Sequence, residues 1–238
     1  MTPCCFYCAA DSPAAKIAAS RLQAKGIIFV KSPCPAVTHV LTNIPTTNAD
    51  ALPALLQLMP TETCIIGGNL PSISGYSTRD LLQDPVYVAE NAYITAHCAV
   101  RLAMQMLPAT LRDCKVLVIG WGRIGKCLAV LLKNLEAQVT VAARKETDRG
   151  MLQALGYQSC DIFHLQEENY RIIFNTVPVM VLPQSPKGCI KIDLASTRGI
   201  GGDDVIHARG LPGKDAAEAS GELIARRILA YLETEGYL

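Results

Sequence analysis

At 238 residues, with half of them hydrophobic and only 18% charged against a usual ~25%, the chain has material for one large or two small domains with a substantial core. A net charge of +1 excludes an electrostatic nucleic-acid binder and a polybasic membrane-surface protein. No apolar run approaches the ~18 residues of a membrane span, and the start lacks the basic region and apolar length of a secretory signal, so the expected compartment is the cytoplasm.

The first ninety residues alternate between strand and helix patterns. Residues 4–9 read as a buried strand. Ser12 and Pro13 supply a cap and a first-turn proline for a helix that passes Ile17 and Leu22 and stops at Gly26. Strands are expected at 27–30 and 37–41. Asn48 or Asp50 is placed to cap a helix through Leu58, ended by Pro60. A strand at 64–66 runs into Gly67, Gly68 and Asn69, a turn that either contributes to a cleft or is an ordinary loop. A short strand is expected at 86–88. Ten cysteines are present, and Cys5 and Cys8 form a C-x-x-C. No second such pair follows and Cys5 falls in the first strand, so the thiols are expected to be reduced core residues and no metal site is expected.

From 93 to 106 apolar residues recur at helical spacing, which predicts a linker helix over 93–109. His97 and Arg101 lie four apart on one of its faces. If that face borders a cleft, His97 could handle a proton and Arg101 a carboxylate; otherwise they are a surface pair.

The densest signal follows. Residues 116–119 form a short β-branched strand that runs directly into Gly120, Trp121, Gly122, Arg123, Ile124 and Gly125. This is the G-x-G-x-x-G spacing: one glycine for the tight turn, one for close approach of a pyrophosphate, one for packing the next helix on the strand. A helix over 123–135 directs its N-terminal N–H groups toward such phosphates, and a strand at 139–142 completes the β-α-β unit. Where NAD sites commonly carry Asp or Glu, this chain has Ala143, Arg144 and Lys145. Two cations and no carboxylate favour the 2′-phosphate of NADP over the free ribose of NAD, although a solvated basic loop would read the same way.

Further on, a helix near 147–155 ends at Gly156. A strand at 171–174 ends in Asn175, Thr176, Val177 and Pro178. A strand at 189–194 carries Asp193 and ends in Ala195, Ser196 and Arg198, followed by Gly199, Gly201 and Gly202. In doubly wound sheets, ligands lie beyond the carboxyl ends of strands, so Asn175, Thr176, Val177, Pro178, Asp193 and Ala195 are expected at the cofactor. Ser196, Arg198, Arg101 and Lys214 are the candidates for a substrate carboxylate. Gly210, Leu211, Pro212 and Gly213 are expected as a turn on the same face, and 216–232 as a terminal helix. The expected fold is α/β: a Rossmann-type doubly wound parallel sheet over 110–212, a second, smaller α/β domain over 1–92, and a C-terminal helix within 213–238 crossing back onto that domain.

The run from Gly120 to Gly125, with Ala142-Ala143-Arg144, Asn175-Thr176-Val177-Pro178, Asp193-Leu194-Ala195-Ser196 and Gly210-Leu211-Pro212-Gly213, resembles the A subunit of dipicolinate synthase. More distantly the layout resembles the two-domain 2-hydroxyacid dehydrogenases and the NAD domain of adenosylhomocysteine hydrolases. The resemblance implies a spore-forming bacterium, NADP as cofactor, oxidation of dihydrodipicolinate to dipicolinate, and a partner B subunit. The chain departs from that family at Ile94-Thr95-Ala96-His97-Cys98 and at Ala217-Glu218, where a lysine that could bind a substrate carboxylate would be replaced by an acid. Another NAD(P)-dependent dehydrogenase of a small acid and a non-catalytic nucleotide-binding subunit therefore stand as alternatives. A homo-oligomer is expected from the surplus of apolar residues.

Overall fold

The computed structural model describes residues 4–47, 49–165, 169–184 and 186–238. In chain order the elements are β1 (Cys5–Cys8), α1 (Pro13–Ala24), β2 (Ile28–Val30), β3 (His39–Leu41), α2 (Leu52–Leu56), β4 (Cys64–Gly67), β5 (Ser77–Asp80), α3 (Pro85–Met106) and β6 (Lys115–Ile119). There follow α4 (Arg123–Asn134), β7 (Gln138–Ala143), α5 (Glu146–Ala154), β8 (Gln158–Asp161), β9 (Ile172–Asn175), β10 (Ile190–Asp193), β11 (Val205–His207), α6 (Leu211–Asp215) and α7 (Ala217–Thr234). They form two compact units, one of residues 1–91 with 212–238 and one of residues 92–211, so the division falls inside α3 and again at the start of α6.

The first unit carries a five-stranded sheet in the order β2-β1-β3-β4-β5, parallel throughout. Val37, Val40, Leu52, Leu56, Met59 and Ile65 form a core cluster beneath α2. α7 lies along α1, and Gly221 makes that possible: a Cβ there would stand 2.7 Å from Ala14 O and from Ile17. At the edge of this seam Arg21 reaches Glu218 at 3.1 Å and Glu222 at 2.9 Å. The acid that departs from the family at Glu218 is thus occupied by Arg21. A more buried pair joins α7 to the start of α3, where Arg227 Nε donates to Asp84 Oδ2 at 2.8 Å.

The second unit carries a six-stranded parallel sheet in the order β11-β10-β9-β6-β7-β8. Counted from β6 this is the 3-2-1-4-5-6 order of the doubly wound nucleotide-binding fold, with strand order reversing between β6 and β9. The central strands read as continuous apolar runs because helices cover both faces of a parallel sheet. Leu117, Ile119, Ala142, Ile162, Tyr170, Ile173, Ile200 and Val205 pack as one cluster.

Several expectations are corrected. Residues 86–88 are the first turn of α3 rather than a strand: Asp84 Oδ1 accepts from Val86 N (2.9 Å) and Tyr87 N (3.2 Å), which makes Asp84 the cap and Pro85 the first helical residue. The linker helix accordingly begins at Pro85, eight residues earlier than expected. Residues 211–213 open α6 instead of forming a turn. Asp50 lies in a 3-10 turn, Ala49–Ala51, and caps nothing; Asn48 lies outside the described residues. β5, β8 and β11 have no sequence signal, because each is a short edge strand with at most one buried residue and therefore no apolar run. Among the described residues no helix is long and apolar enough to cross a membrane. All ten cysteines are free thiols.

His39 sits at the centre of the first unit with no exposed surface. Its ring stacks on Phe6 at 4.7 Å and meets the edges of Tyr231 and Tyr237 at 6.2 and 5.0 Å. Nδ1 bonds Thr38 Oγ1 at 2.9 Å while Nε2 has no partner. Burial pushes its pKa down from 6.5 to about 4. The unfolded chain therefore binds the extra proton between those values, and stability present above pH 6.5 is lost as the pH falls toward 4. Urea unfolding followed at pH 7 and pH 5 is expected to show a loss of about 2 kcal/mol from this group, abolished in His39→Phe.

Candidate functional site

The site is built where β6 and β9 part. Thr176 Oγ1 and Thr176 N both donate to Ile119 O at 2.9 Å, which stitches the two strand ends together. Gly120 turns the chain at φ +104, a conformation that side chains resist. A Cβ on it would lie 2.4 Å from Thr176 Oγ1 and 2.8 Å from Val177 Cγ2. A Cβ on Gly125 would lie 2.1 Å from Gly120 O, so only a hydrogen lets α4 start directly behind β6. Gly122 differs: a Cβ there would meet nothing within 4 Å. It is the N-cap of α4 with no side-chain cap, and the first turn has no acidic residue. The first N–H groups of α4 are left for an external acceptor, with the positive end of the helix dipole behind them.

Beside this turn lies a cavity of about 330 Å³. Gly120, Trp121 and Gly122 form one wall, and Ala143, Arg144, Lys145 and Asp148 form a second at the end of β7. Ile162, Phe163, Val177, Val179 and Val181 complete it with an apolar surface. Trp121 is held by Tyr157, with ring centroids 6.1 Å apart, and by Lys126 Nζ at 5.7 Å from its centroid. Arg144 and Lys145 are exposed, as contact with a ligand requires. Phe163, Asp148 and the 179–181 segment were not expected here. Phe163 has no sequence signal because β8, which it follows, has none, yet it is 70% exposed where phenylalanine is ordinarily buried.

Asn175 and Asp193 are placed differently from expectation. Both are essentially fully buried and their polar atoms are consumed within the protein. Asn175 Nδ2 donates to Asp193 Oδ1 (2.8 Å) and Val177 O (3.0 Å), while its Oδ1 accepts from Val177 N (3.0 Å). Asp193 accepts further from Ala195 N (3.1 Å), Gly199 N (2.7 Å) and Ile200 N (3.1 Å). These side chains shape the loops after β9 and β10 and have no atom left for a ligand. Thr176, Val177 and Pro178 lie on the outer, partly exposed side of the same turn, and Ser196 is exposed just past Ala195. Arg198 folds back on its own loop, with Nε donating to Ile200 O at 2.9 Å and Nη2 to Gly202 O.

His97 and Arg101 do not join this cavity. They line another of about 540 Å³, together with Met104, Leu131, Asn134 and Leu135. The last three residues mark the C-terminal end of α4, a helix of 12 residues that spans roughly 18 Å from the glycine turn. His97 is exposed and packs edge-on against Tyr93 at 4.4 Å. It is therefore placed at the wrong end of α4 to serve chemistry at the glycine turn. Lys214 is an exposed residue of α6 in the other unit. In that unit the glycines of the 66–71 turn admit their own neighbours: a Cβ at Gly67 would strike Thr42 and Thr46, and one at Gly68 would strike Ile44 and Leu82. Among the described residues no three His, Cys, Asp or Glu side chains gather as a metal group would require.

No protein-family model matches the chain, and no curated protein matches it in sequence. Solved structures do match in fold. The A subunit of dipicolinate synthase from Bacillus halodurans superposes with a TM-score of 0.84 at 19% identity, covering 98% of each chain. Its counterpart from Bacillus subtilis, the A chain of dipicolinate synthase, gives 0.77 at 20% identity over 99% of this chain and 98% of the other. A transhydrogenase from Sinorhizobium meliloti gives 0.65 at 12% identity over 97% and 94%. The chain thus has the two-sheet α/β fold of these proteins over nearly its whole length.

Gly125→Ala is expected to lower stability by about 1–3 kcal/mol in urea unfolding, because the methyl meets backbone and not a flexible side chain. Gly122→Ala, with open space and an ordinary φ of −79, is expected to stay within about 0.5 kcal/mol of the wild type.

Proposed function

We propose that the cavity beside the glycine turn binds NADP and that the chain is an NADP-dependent oxidoreductase of the dipicolinate synthase A type, acting on dihydrodipicolinate. The observation that carries this reading is the chemistry of the three walls. An uncapped helix start at Gly122 suits a pyrophosphate, Arg144 and Lys145 suit a 2′-phosphate, and Phe163, Val177, Val179 and Val181 suit the faces of an adenine. The residues present therefore fit a phosphorylated dinucleotide. Asp148 is the one carboxylate among the residues that line the cavity, and it stands with two cations. NAD is the less favoured ligand because no carboxylate follows β7 directly, where one would accept from the ribose.

When bound, the nicotinamide supplies the hydride acceptor. Conversion of the dihydropyridine to a pyridine removes one hydride and one proton, the proton passing to water as aromatisation drives its loss. The chain's own contribution is then to hold and orient the substrate acid. Arg198 serves here in a form adjusted to the structure: Ile200 O and Gly202 O fix Nε and one Nη, which leaves the other terminal nitrogen for a carboxylate beside Ser196. Thr176, Val177 and Pro178 border the nucleotide, and Asn175, Asp193 and Ala195 keep that border rigid. Arg101 and Lys214 have no support as carboxylate ligands at this cavity, nor His97 as its base. A cytoplasmic location, a homo-oligomer and a B subunit for partner complete the proposal. The oligomer is supported by the exposed Tyr93, Met104, Val130 and Leu135 on α3 and α4 of the second unit.

Trp121 is the only tryptophan and lies in the cavity wall, so its fluorescence reports on this site alone. Titration is expected to give quenching by NADPH with an affinity at least about tenfold tighter than NADH, a difference of about 1.4 kcal/mol. Arg144→Ala is expected to erase the preference, and Gly122→Ala to weaken both nucleotides while leaving stability intact. Turnover of dihydrodipicolinate, with and without a B subunit, then tests the substrate. Absence of quenching by either nucleotide sinks the enzyme reading and leaves a nucleotide-free Rossmann scaffold.

A further inference from the structure

Arg149 carries no sequence signal of a site residue, being one of several charges on a surface helix. Its guanidinium nevertheless lies behind the cavity wall. Nη1 donates to Ala143 O and to Arg144 O, both at 2.9 Å, the two carbonyls at which the chain leaves β7. The same nitrogen stands 3.1 Å from Asp161 Oδ2, and neither side chain is more than a third exposed. Asp161 ends β8, and its other oxygen accepts from Phe163 N at 2.9 Å. One ion pair therefore braces both loops that border the cavity here. Its arginine fixes the backbone that presents Arg144 and Lys145, and its aspartate fixes the turn that presents Phe163.

The pair also has an electrostatic effect. Asp161 ends β8 beside Ala143 at the cationic wall, and without Arg149 its charge would add to that of Asp148 against the ligand that Arg144 and Lys145 attract. Arg149 offsets that charge at 3.1 Å while donating to the two backbone carbonyls.

We propose that the Arg149–Asp161 pair is a specificity-determining positioning device: it sets the 143–145 and 161–163 loops for a 2′-phosphorylated adenosine and neutralises the carboxylate at the end of β8 that would repel it. Neither residue touches the ligand. The proposal rests on the NADP reading of the cavity, and the two fail in different ways.

The test is NADPH and NADH affinity by Trp121 quenching in the wild type, Arg149→Ala, Arg149→Lys and the double variant Arg149→Ala/Asp161→Asn, with a thermal melt of each. Arg149→Ala is expected to weaken NADPH at least about tenfold and NADH less than about threefold, since the 2′-phosphate meets the uncompensated carboxylate and NADH lacks that group. Adding Asp161→Asn is expected to recover part of the NADPH affinity, because the amide keeps an acceptor for Phe163 N and removes the charge. Arg149→Lys retains the charge on a side chain about one bond shorter, whose ammonium stops short of the position of Nη1, and is expected to fall between wild type and Arg149→Ala; it also serves if the alanine variant melts early. A purely structural role would weaken both nucleotides equally, with no recovery in the double variant, and that result overturns the proposal, as does an unchanged NADPH affinity in Arg149→Ala or, if only the lysine variant folds, in Arg149→Lys. A wild type that binds neither nucleotide, or both alike, overturns the NADP reading and this inference with it. A wild type that prefers NADPH beside variants that keep the full preference overturns this inference alone.

Discussion

The second unit depends on one backbone contact. α4 can begin directly behind β6 only because Gly125 places a hydrogen where a methyl group would stand 2.1 Å from Gly120 O. Backbone cannot yield as a flexible side chain can, so the helix start, the left-handed turn at Gly120 and the stitch of Thr176 to Ile119 form one unit. The crevice between β6 and β9 is what remains when these close approaches are satisfied. Gly122 is left at its mouth with space in front of it.

Around that contact a second set of residues spends its polarity inward. The side chains of Asn175 and Asp193 bond each other and the backbone of the loops after β9 and β10. A buried carboxylate is tolerable when its lone pairs are filled by N–H groups, and four donors fill them at Asp193. The same principle recurs at Lys191, whose side chain is 1% exposed and whose Nζ reaches Asp204 Oδ2 at 2.6 Å and Pro186 O at 2.8 Å. Polar residues at these strand ends therefore build loops, and Arg144, Lys145, Trp121 and Phe163 are left to line the cavity.

The first unit solves a different packing problem. Its sheet is closed on one side by α1 and α7, drawn together by the small residues Ala14 and Gly221. That seam is why the chain returns to its first unit after the second is complete. His39 is held under it by aromatic rings, with one ring nitrogen unpartnered. Burial without a partner for that nitrogen is what keeps the ring neutral.

By itself the sequence determined the elements whose signals are local. A β-branched run ending in three spaced glycines needs no tertiary information to be read as strand, turn and helix. The absence of a carboxylate directly after β7 is likewise a property of the residues alone. The central strands were legible because parallel sheets bury both faces; the edge strands β5, β8 and β11 were not, because short, partly exposed segments pair only when a neighbour is already in place. The sequence could name Asn175, Asp193 and Arg198 as polar groups at strand ends, but not which way they turn, since Asn175 and Asp193 bond each other from two different strands and all three bond backbone groups on loops with no regular pattern. It placed His97 and Arg101 on one helical face, yet which end of α4 that face meets is decided by packing. Arg149 and Asp161, on two different elements, became a pair only when β8 aligned beside β7 and brought Asp161 level with Ala143.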